Sequence, residues 1–369
     1  MWNMEGSSTK NLLRLCLGYF IFYVLTGLSV KYFIDPSLGG MKGFEFLVYS
    51  TFGGNIVALA IVFIFRWYRF ESNHKVKFLG MNVPLEFFYI IPSGICTAVV
   101  IPTTTIMYSL PISVMVAMVI MRGSVIVISR IVDIILQLQG LLKKKVYWQE
   151  NVGVVFALAA VSTKIFEGGT GGGFDFLHNK IATYTFFSYI IAYAVRIYIM
   201  NYFKNSRGKG VKQDNKGFYA VEQFSAVFVI LLVFIILFKS PSLFGITVSA
   251  DSFKQIFEIR KSIVEPLSNW PWALVAGGAF GAVSFFSVFI FMYKGRTATF
   301  AGLVNRLTSL VAGTASTILF AIFYGGKYPR FSDWLSLAFI VTAIVFISQA
   351  EIRRVQELKA QNLIKSDND

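Results

Sequence analysis

Charge is scarce in this chain. Only 14% of its 369 residues are charged, against about 25% in an ordinary soluble domain, which excludes a soluble globular fold of this size. Acidic residues are scarcer still: nineteen Asp and Glu stand against thirty-four Lys and Arg, a net charge of +15. Histidine is nearly absent, and His74 and His178 lie too far apart in sequence for a metal-ligand spacing. The two cysteines, Cys16 and Cys96, sit inside apolar runs and read as buried thiols rather than a disulfide. No cleavable leader is expected, since the first apolar run begins near Leu12 and is too long for a leader's apolar core. Clusters of acids or histidines near one membrane face, which a lipid-phosphate transferase needs, are missing. An enzyme is therefore not expected, and neither is a cofactor or a metal.

What the chain does have is long apolar runs. Hydrophobic residues make up 56% and aromatics 17%, a composition that also excludes disorder. About twenty predominantly apolar residues cross a bilayer as a helix, and ten segments approach that length: 12–34, 44–67, 84–108, 111–137, 147–166, 181–203, 218–239, 270–293, 298–324 and 331–350. The runs are continuous rather than alternating, which favours helices over a barrel. Ser109-Leu110-Pro111 separates the third from the fourth, because a proline ends one helix and starts the next. Lys294-Gly295-Arg296 makes a similar tight turn between the eighth and ninth.

Loop charge sets the orientation. On one side lie Lys10, the basic residues of 66–77, 143–145 and 204–216, Lys294, Arg296, and the tail residues Arg353, Arg354, Lys359 and Lys365. They outnumber those on the other side roughly two to one, so both termini are expected in the cytoplasm. Most of the net charge is thus topological, and no aromatic interleaving in the basic loops points to nucleic acid. The expected contacts are a small anionic solute and membrane lipids, with the chain a monomer or homodimer.

A glycine-rich linker at 168–175 separates an N-terminal half, 1–167, from a C-terminal half, 176–352, with a tail at 353–369. The halves repeat weakly. Met107-Tyr108 closes the third span and Met292-Tyr293 the eighth; Arg122 and Arg306 then fall inside the fourth and ninth. Trp148-Gln149-Glu150 parallels Phe331-Ser332-Asp333, and Phe156 matches Phe339. Five spans per half makes the repeats inverted, a transporter design that exposes one midplane site to each side in turn. The fold expected is therefore an all-α polytopic membrane protein of ten transmembrane helices in two inverted five-helix repeats. Within 240–269, Phe253, Ile256, Phe257, Ile259 and Ile263 recur at helical spacing among charges, predicting a short amphipathic helix in the outer interface.

An ionisable residue inside a span needs a partner, water or a substrate. Arg14 lies close enough to a helix end to snorkel, and Arg130 can pair with Asp133 three residues on. Arg122, about 15 Å into its span at the helical rise, and Arg306 have no acid one turn away. Both are flanked by small or polar residues. They predict an anion-binding cavity, since the guanidinium fork suits phosphate or carboxylate. Tyr23, Asn55, Tyr108, Tyr189, Tyr193 and Arg196 are further candidates for its lining, and Glu222 is a candidate counter-ion or proton site.

This organisation resembles the drug/metabolite transporter superfamily over nearly the whole chain. Gly302-Leu303-Val304-Asn305-Arg306 resembles the Gly-Ala-Leu-Asn-Lys motif of nucleotide-sugar transporters, with Gly302 and Asn305 identical and Arg306 in place of the lysine. Met121-Arg122-Gly123 is similar to the basic mid-span position of nucleotide-sugar-transporter-like (EamA-type) carriers. The Phe-Tyr-Asn-Asn motif of guanosine-sugar carriers is absent. The resemblance implies a secondary-active antiporter of a nucleotide sugar or related phosphorylated solute, with Gly302, Asn305, Arg306 and Arg122 at the substrate. It places the protein in a Golgi or ER membrane if eukaryotic and in the inner membrane if bacterial. An exporter of amino acids or drugs, or a lipid-head-group flippase, of the same superfamily is the competing expectation.

Overall fold

The computed structural model describes residues 9–72, 75–78, 80–109, 114–142, 146–167, 180–206, 213–249, 252–325, 328–329 and 331–366. The glycine-rich linker and both histidines lie outside the described residues.

A helix stands on each of the ten apolar segments: α1 (Thr9–Ile34), α2 (Gly43–Ile64), α3 (Phe87–Ser109), α4 (Val114–Leu138), α5 (Trp148–Glu167), α6 (Lys180–Asn205), α7 (Asn215–Phe238), α10 (Trp270–Phe291), α11 (Ala298–Tyr324) and α12 (Phe331–Ser366). Eight of them are long and apolar enough, among the described residues, to cross a membrane. The other two are α4 and α5. Helix α4 carries Arg122, Arg130 and Asp133, and α5 carries Glu150, Lys164 and Glu167 over only 20 residues. The chain is an all-α polytopic membrane protein, but among the described residues its apolar helices number eight rather than the ten expected.

Large side chains on these helices face outward: Leu13, Ile64, Phe228 and Val275 are all more than half exposed, as an apolar solvent permits. Helix α3 keeps Pro92 and Pro102 in its interior, and Thr103 and Thr104 donate to the carbonyls of Val99 and Val100 at 2.7 Å. Hydroxyls of this kind help satisfy backbone carbonyls where a proline interrupts a membrane helix. Gly295, at φ +88°, makes the turn between α10 and α11 that its sequence predicts, because only glycine takes that conformation without strain.

The packing has a two-fold pattern. Helix α3 packs on α6 and α7, as α10 packs on α1 and α2. Helix α4 packs on α6 and α5, as α11 packs on α1 and α12. Three further contacts join counterpart helices, namely α2 with α7, α4 with α11, and α5 with α12. If α1 to α5 exchange with α6, α7, α10, α11 and α12 in that order, these contacts map onto themselves. Phe156 of α5 and Phe339 of α12, matched in the sequence, touch across this relation with ring centroids 6.2 Å apart. Equivalent residues meet in this way beside a two-fold axis.

Four short elements complete the fold among the described residues. Strands β1 (Lys75–Phe78) and β2 (Met81–Pro84) form an antiparallel hairpin with Val76 opposite Val83, within what the sequence showed only as a basic loop. Helix α8 (Ser240–Phe244) follows α7 directly. Helix α9 (Lys254–Val264) lies where the amphipathic segment was predicted. It seats on α2, burying Ile259 against Phe44 and Val48, while Lys42 pairs with Glu258 at 3.8 Å and the Tyr49 hydroxyl donates to the Ser262 carbonyl. Helix α12 runs on to Ser366, well past the expected end of its span, so the first part of the expected tail is helical.

Candidate functional site

The centre of the molecule holds two arginines among four tyrosines. On α1, Tyr19 and Tyr23 stand one turn apart with ring centroids at 5.5 Å. On α6, Tyr189 and Tyr193 repeat the arrangement at 5.0 Å. Arg122 of α4 donates from Nη2 to the Tyr23 hydroxyl at 2.9 Å and lies over its ring at 5.6 Å. Arg306 of α11 lies over the Tyr193 ring at 4.9 Å and within electrostatic reach of all four phenols. Exchanging the two sets of helices turns Arg122 on Tyr23 into Arg306 on Tyr193. The site is thus a cage built twice, once by each half of the chain.

Both guanidinium groups are buried, Arg122 at 5% and Arg306 at 7% exposure. Among the described residues, Arg306 Nε and Nη2 have no hydrogen-bond partner. A ring face attracts a cation by about 2 kcal/mol when desolvated, yet it accepts none of these N–H groups in the plane of the fork. Along α11, Gly313 abuts Arg122 Nη1, seven residues on from Arg306. The two charges are therefore offset by about 10 Å along the helix. Asn305 joins the cage from the same helix, accepting from Tyr19 at 3.4 Å and donating to Ser287 of α10 at 3.0 Å.

Other candidates fall elsewhere. A Cβ on Gly302 would collide with Ser129, so this glycine lets α11 cross α4 closely rather than approach a ligand. Arg196 forms a bidentate pair with Glu222, at 2.9 and 3.2 Å. Glu222, with no exposed surface, also accepts from Ser93 at 2.7 Å and Thr97 at 3.2 Å. Glu222 is the counter-ion of Arg196, which is thereby committed to a partner within the fold. Asn55 lines a separate pocket with Gln223. Tyr108 falls on α3, but its side chain lies outside the described residues. Asp133 does not pair with Arg130: its oxygens accept the N–H groups of Ala298 and Thr299 at 2.7 Å each, holding the start of α11, where a negative charge is favoured.

Sequence reasoning missed a buried ionic cluster at that same end. Thr297 caps α11 through Phe300 N at 3.1 Å and donates to Glu150 at 2.9 Å. Glu150 takes Arg354 Nη2 at 2.5 Å, Arg354 reaches Glu351 at 3.5 Å, and Glu351 binds Arg296 and Thr9. Burial pulls Arg296 below the usual arginine range, with Glu351 opposing. Arg296 and Arg354 both lie over the Phe300 ring, at 5.8 and 5.3 Å. In the sequence Arg296 and Arg354 read only as loop and tail charge. The signal that distinguished them was the pair Glu351 and Arg354, one turn apart on an extended helix.

No family model and no curated protein matches the chain. Twenty solved chains resemble it in structure. One of them, a crystal structure described only as that of a protein, aligns over 94% of this chain and 99% of its own length, with a TM-score of 0.57 and 14% identity. At that identity the likeness establishes a shared fold.

Proposed function

We propose that this protein is a secondary-active transporter of an anionic metabolite, working by alternating access between two inverted five-helix repeats. On this reading the helices α4 and α5 cross the membrane with the eight apolar ones, and Arg122, Asp133 and Glu150 are buried in the bundle, where intramembrane charges are normally found. The observation that carries the reading is the Arg306 guanidinium, buried inside the bundle with Nε and Nη2 unpartnered among the described residues. A buried cation with open donors is stabilised by an anion that supplies two acceptor oxygens. The doubled tyrosine-arginine arrangement supports a solute bound between the halves, each half contributing one grip. A phosphorylated solute, a nucleotide sugar among them, fits arginine recognition, and the flanking phenols suit a ring or sugar beside the charge. An empty cage with an unpaired Arg306 is reluctant to reorient, which favours exchange of one anion for another. Loop charge orients both termini to the cytoplasm.

The test is a set of melting curves on the purified chain against nucleotides, nucleotide sugars, sugar phosphates, inorganic phosphate, amino acids and amines, followed by uptake into vesicles. A ligand that binds only the folded state raises the melting temperature by mass action. Stabilisation by one phosphorylated class, lost in Arg306→Ala together with uptake, is expected. Stabilisation by amino acids or amines alone, unchanged in Arg306→Ala, would reassign the protein to the exporter branch.

A further inference from the structure

The hairpin of β1 and β2 has two unlike faces. Residues paired across an antiparallel ladder point the same way, and successive residues alternate. Val76 opposite Val83 and Phe78 opposite Met81 therefore share one face, while Lys75 and Lys77 stand on the other with Pro84 and Asn82. The apolar face is open: Val76, Phe78 and Met81 are 41%, 49% and 63% exposed. Both lysines are exposed as well, and the segment 75–84 contains no acid.

The roots of the hairpin are fixed to the bundle. Ser72 donates to Glu86 at 2.7 Å, Phe70 packs on Phe87 with ring centroids 5.4 Å apart, and the Glu71 N–H donates to Asp214 at 3.2 Å. Helix α2, 22 residues long, spans about 33 Å at the helical rise, close to the thickness of a bilayer's hydrocarbon core. The hairpin that follows it thus falls at the membrane surface, on the side that loop charge assigns to the cytoplasm. Phe78 meets Phe88 of α3 edge to face, with centroids 5.3 Å apart. Phe88 shares an exposed stripe with Ile91 and Ile95, at the spacing of one helix face. That stripe is a lipid-facing side of α3, and the apolar face of the hairpin continues it.

We infer that this hairpin docks on the anionic leaflet beside it, with Val76, Phe78 and Met81 among the acyl chains and Lys75 and Lys77 at the anionic headgroups. A two-stranded hairpin is marginally stable in water, and the leaflet removes its apolar face from water. The cytoplasmic leaflet carries the anionic lipid, and each lysine held near such a surface strengthens binding. Strand addition by a second copy of the chain is disfavoured. Both strands are four residues long, β1 carries the lysines and β2 ends in Pro84, all devices that blunt a sheet edge. The inference does not depend on the transporter reading, only on the apolar helices crossing a bilayer.

The test places the full chain, one copy per lipid nanodisc, in phosphatidylcholine alone or mixed with phosphatidylserine. On a background of Cys16→Ala and Cys96→Ala, an environment-sensitive fluorophore is attached through Met81→Cys or, separately, through Asn82→Cys on the opposite face. Quenching by lipid brominated on its acyl chains is expected at position 81 and not at 82, with a larger blue shift at 81 as the phosphatidylserine fraction rises. Lys75→Gln and Lys77→Gln should each lower the apparent affinity for phosphatidylserine about fivefold, and added salt should weaken it too. Absence of quenching at 81, or equal quenching at both positions, overturns the docking. Quenching at 81 that ignores both phosphatidylserine and the two lysine substitutions overturns the anionic headgroup as the partner. A blue shift confined to discs that hold two copies overturns the lipid and assigns the face to a second chain.

Discussion

At the scale of single residues, the difference between a structural and a functional charge is whether the fold supplies its partner. Arg196 and Arg306 are equally buried, yet Arg196 has both its forks on Glu222 and Arg306 has a ring and open donors. Replacing Glu222 with Gln should therefore cost about 3–5 kcal/mol, because it strands a buried cation. The double variant Arg196→Met with Glu222→Leu should recover most of that loss, and thermal unfolding in detergent compares the two. Arg306→Lys should keep part of the anion protection that Arg306→Ala loses while melting within a few degrees of wild type, since an ammonium keeps the charge but not the planar fork. Sequence showed both arginines as intramembrane charges. It did not distinguish them, because the partner of Arg196 lies 26 residues away on another helix.

Among the elements, α11 carries the most varied duties. Its start is held by Asp133 from α4 and by Thr297, its first turns cross α4 at Gly302, and its middle presents Asn305 and Arg306. Gly302→Val should push α11 off Ser129, costing about 1–3 kcal/mol by overpacking and displacing Arg306. The expected readout is a lower melting temperature together with reduced anion protection. Asp133→Ala should cost about 1–3 kcal/mol by leaving two buried N–H groups unmet, with the cage chemistry unchanged. Gly302 was legible as part of a five-residue resemblance, but its physical role was not, because close helix approach depends on what faces the glycine. Spacing alone lets Asp133 pair with Arg130, whereas helix N–H groups from a distant segment win it.

For the molecule as a whole, the cluster of Glu150, Arg296, Thr297, Glu351 and Arg354 closes one end by joining α1, α5, α11, α12 and the turn before α11. Under alternating access this cluster must part in the opposite-facing state. Glu351→Gln removes the charge that binds Arg296 and should shift the population toward that state. A cysteine placed at Ala298, fully buried here, on a background lacking Cys16 and Cys96 should then react several-fold faster with a water-soluble maleimide. An unchanged rate would mean that the cluster holds the fold together without gating it.

Apolar run length determined where the helices stand, because a bilayer accepts only segments that satisfy their own backbone and match its thickness. The turn residues at 294–296 determined where α10 and α11 break. Tertiary structure alone decided which charges are paired, since ion pairs such as Arg196 with Glu222 and Arg296 with Glu351 join helices whose sequence separation carries no trace of their contact. It also moved Asn55 from the arginine cage to a pocket with Gln223, a placement that periodicity on one helix cannot fix. Which helix a polar face meets is a property of the packed bundle, not of the segment.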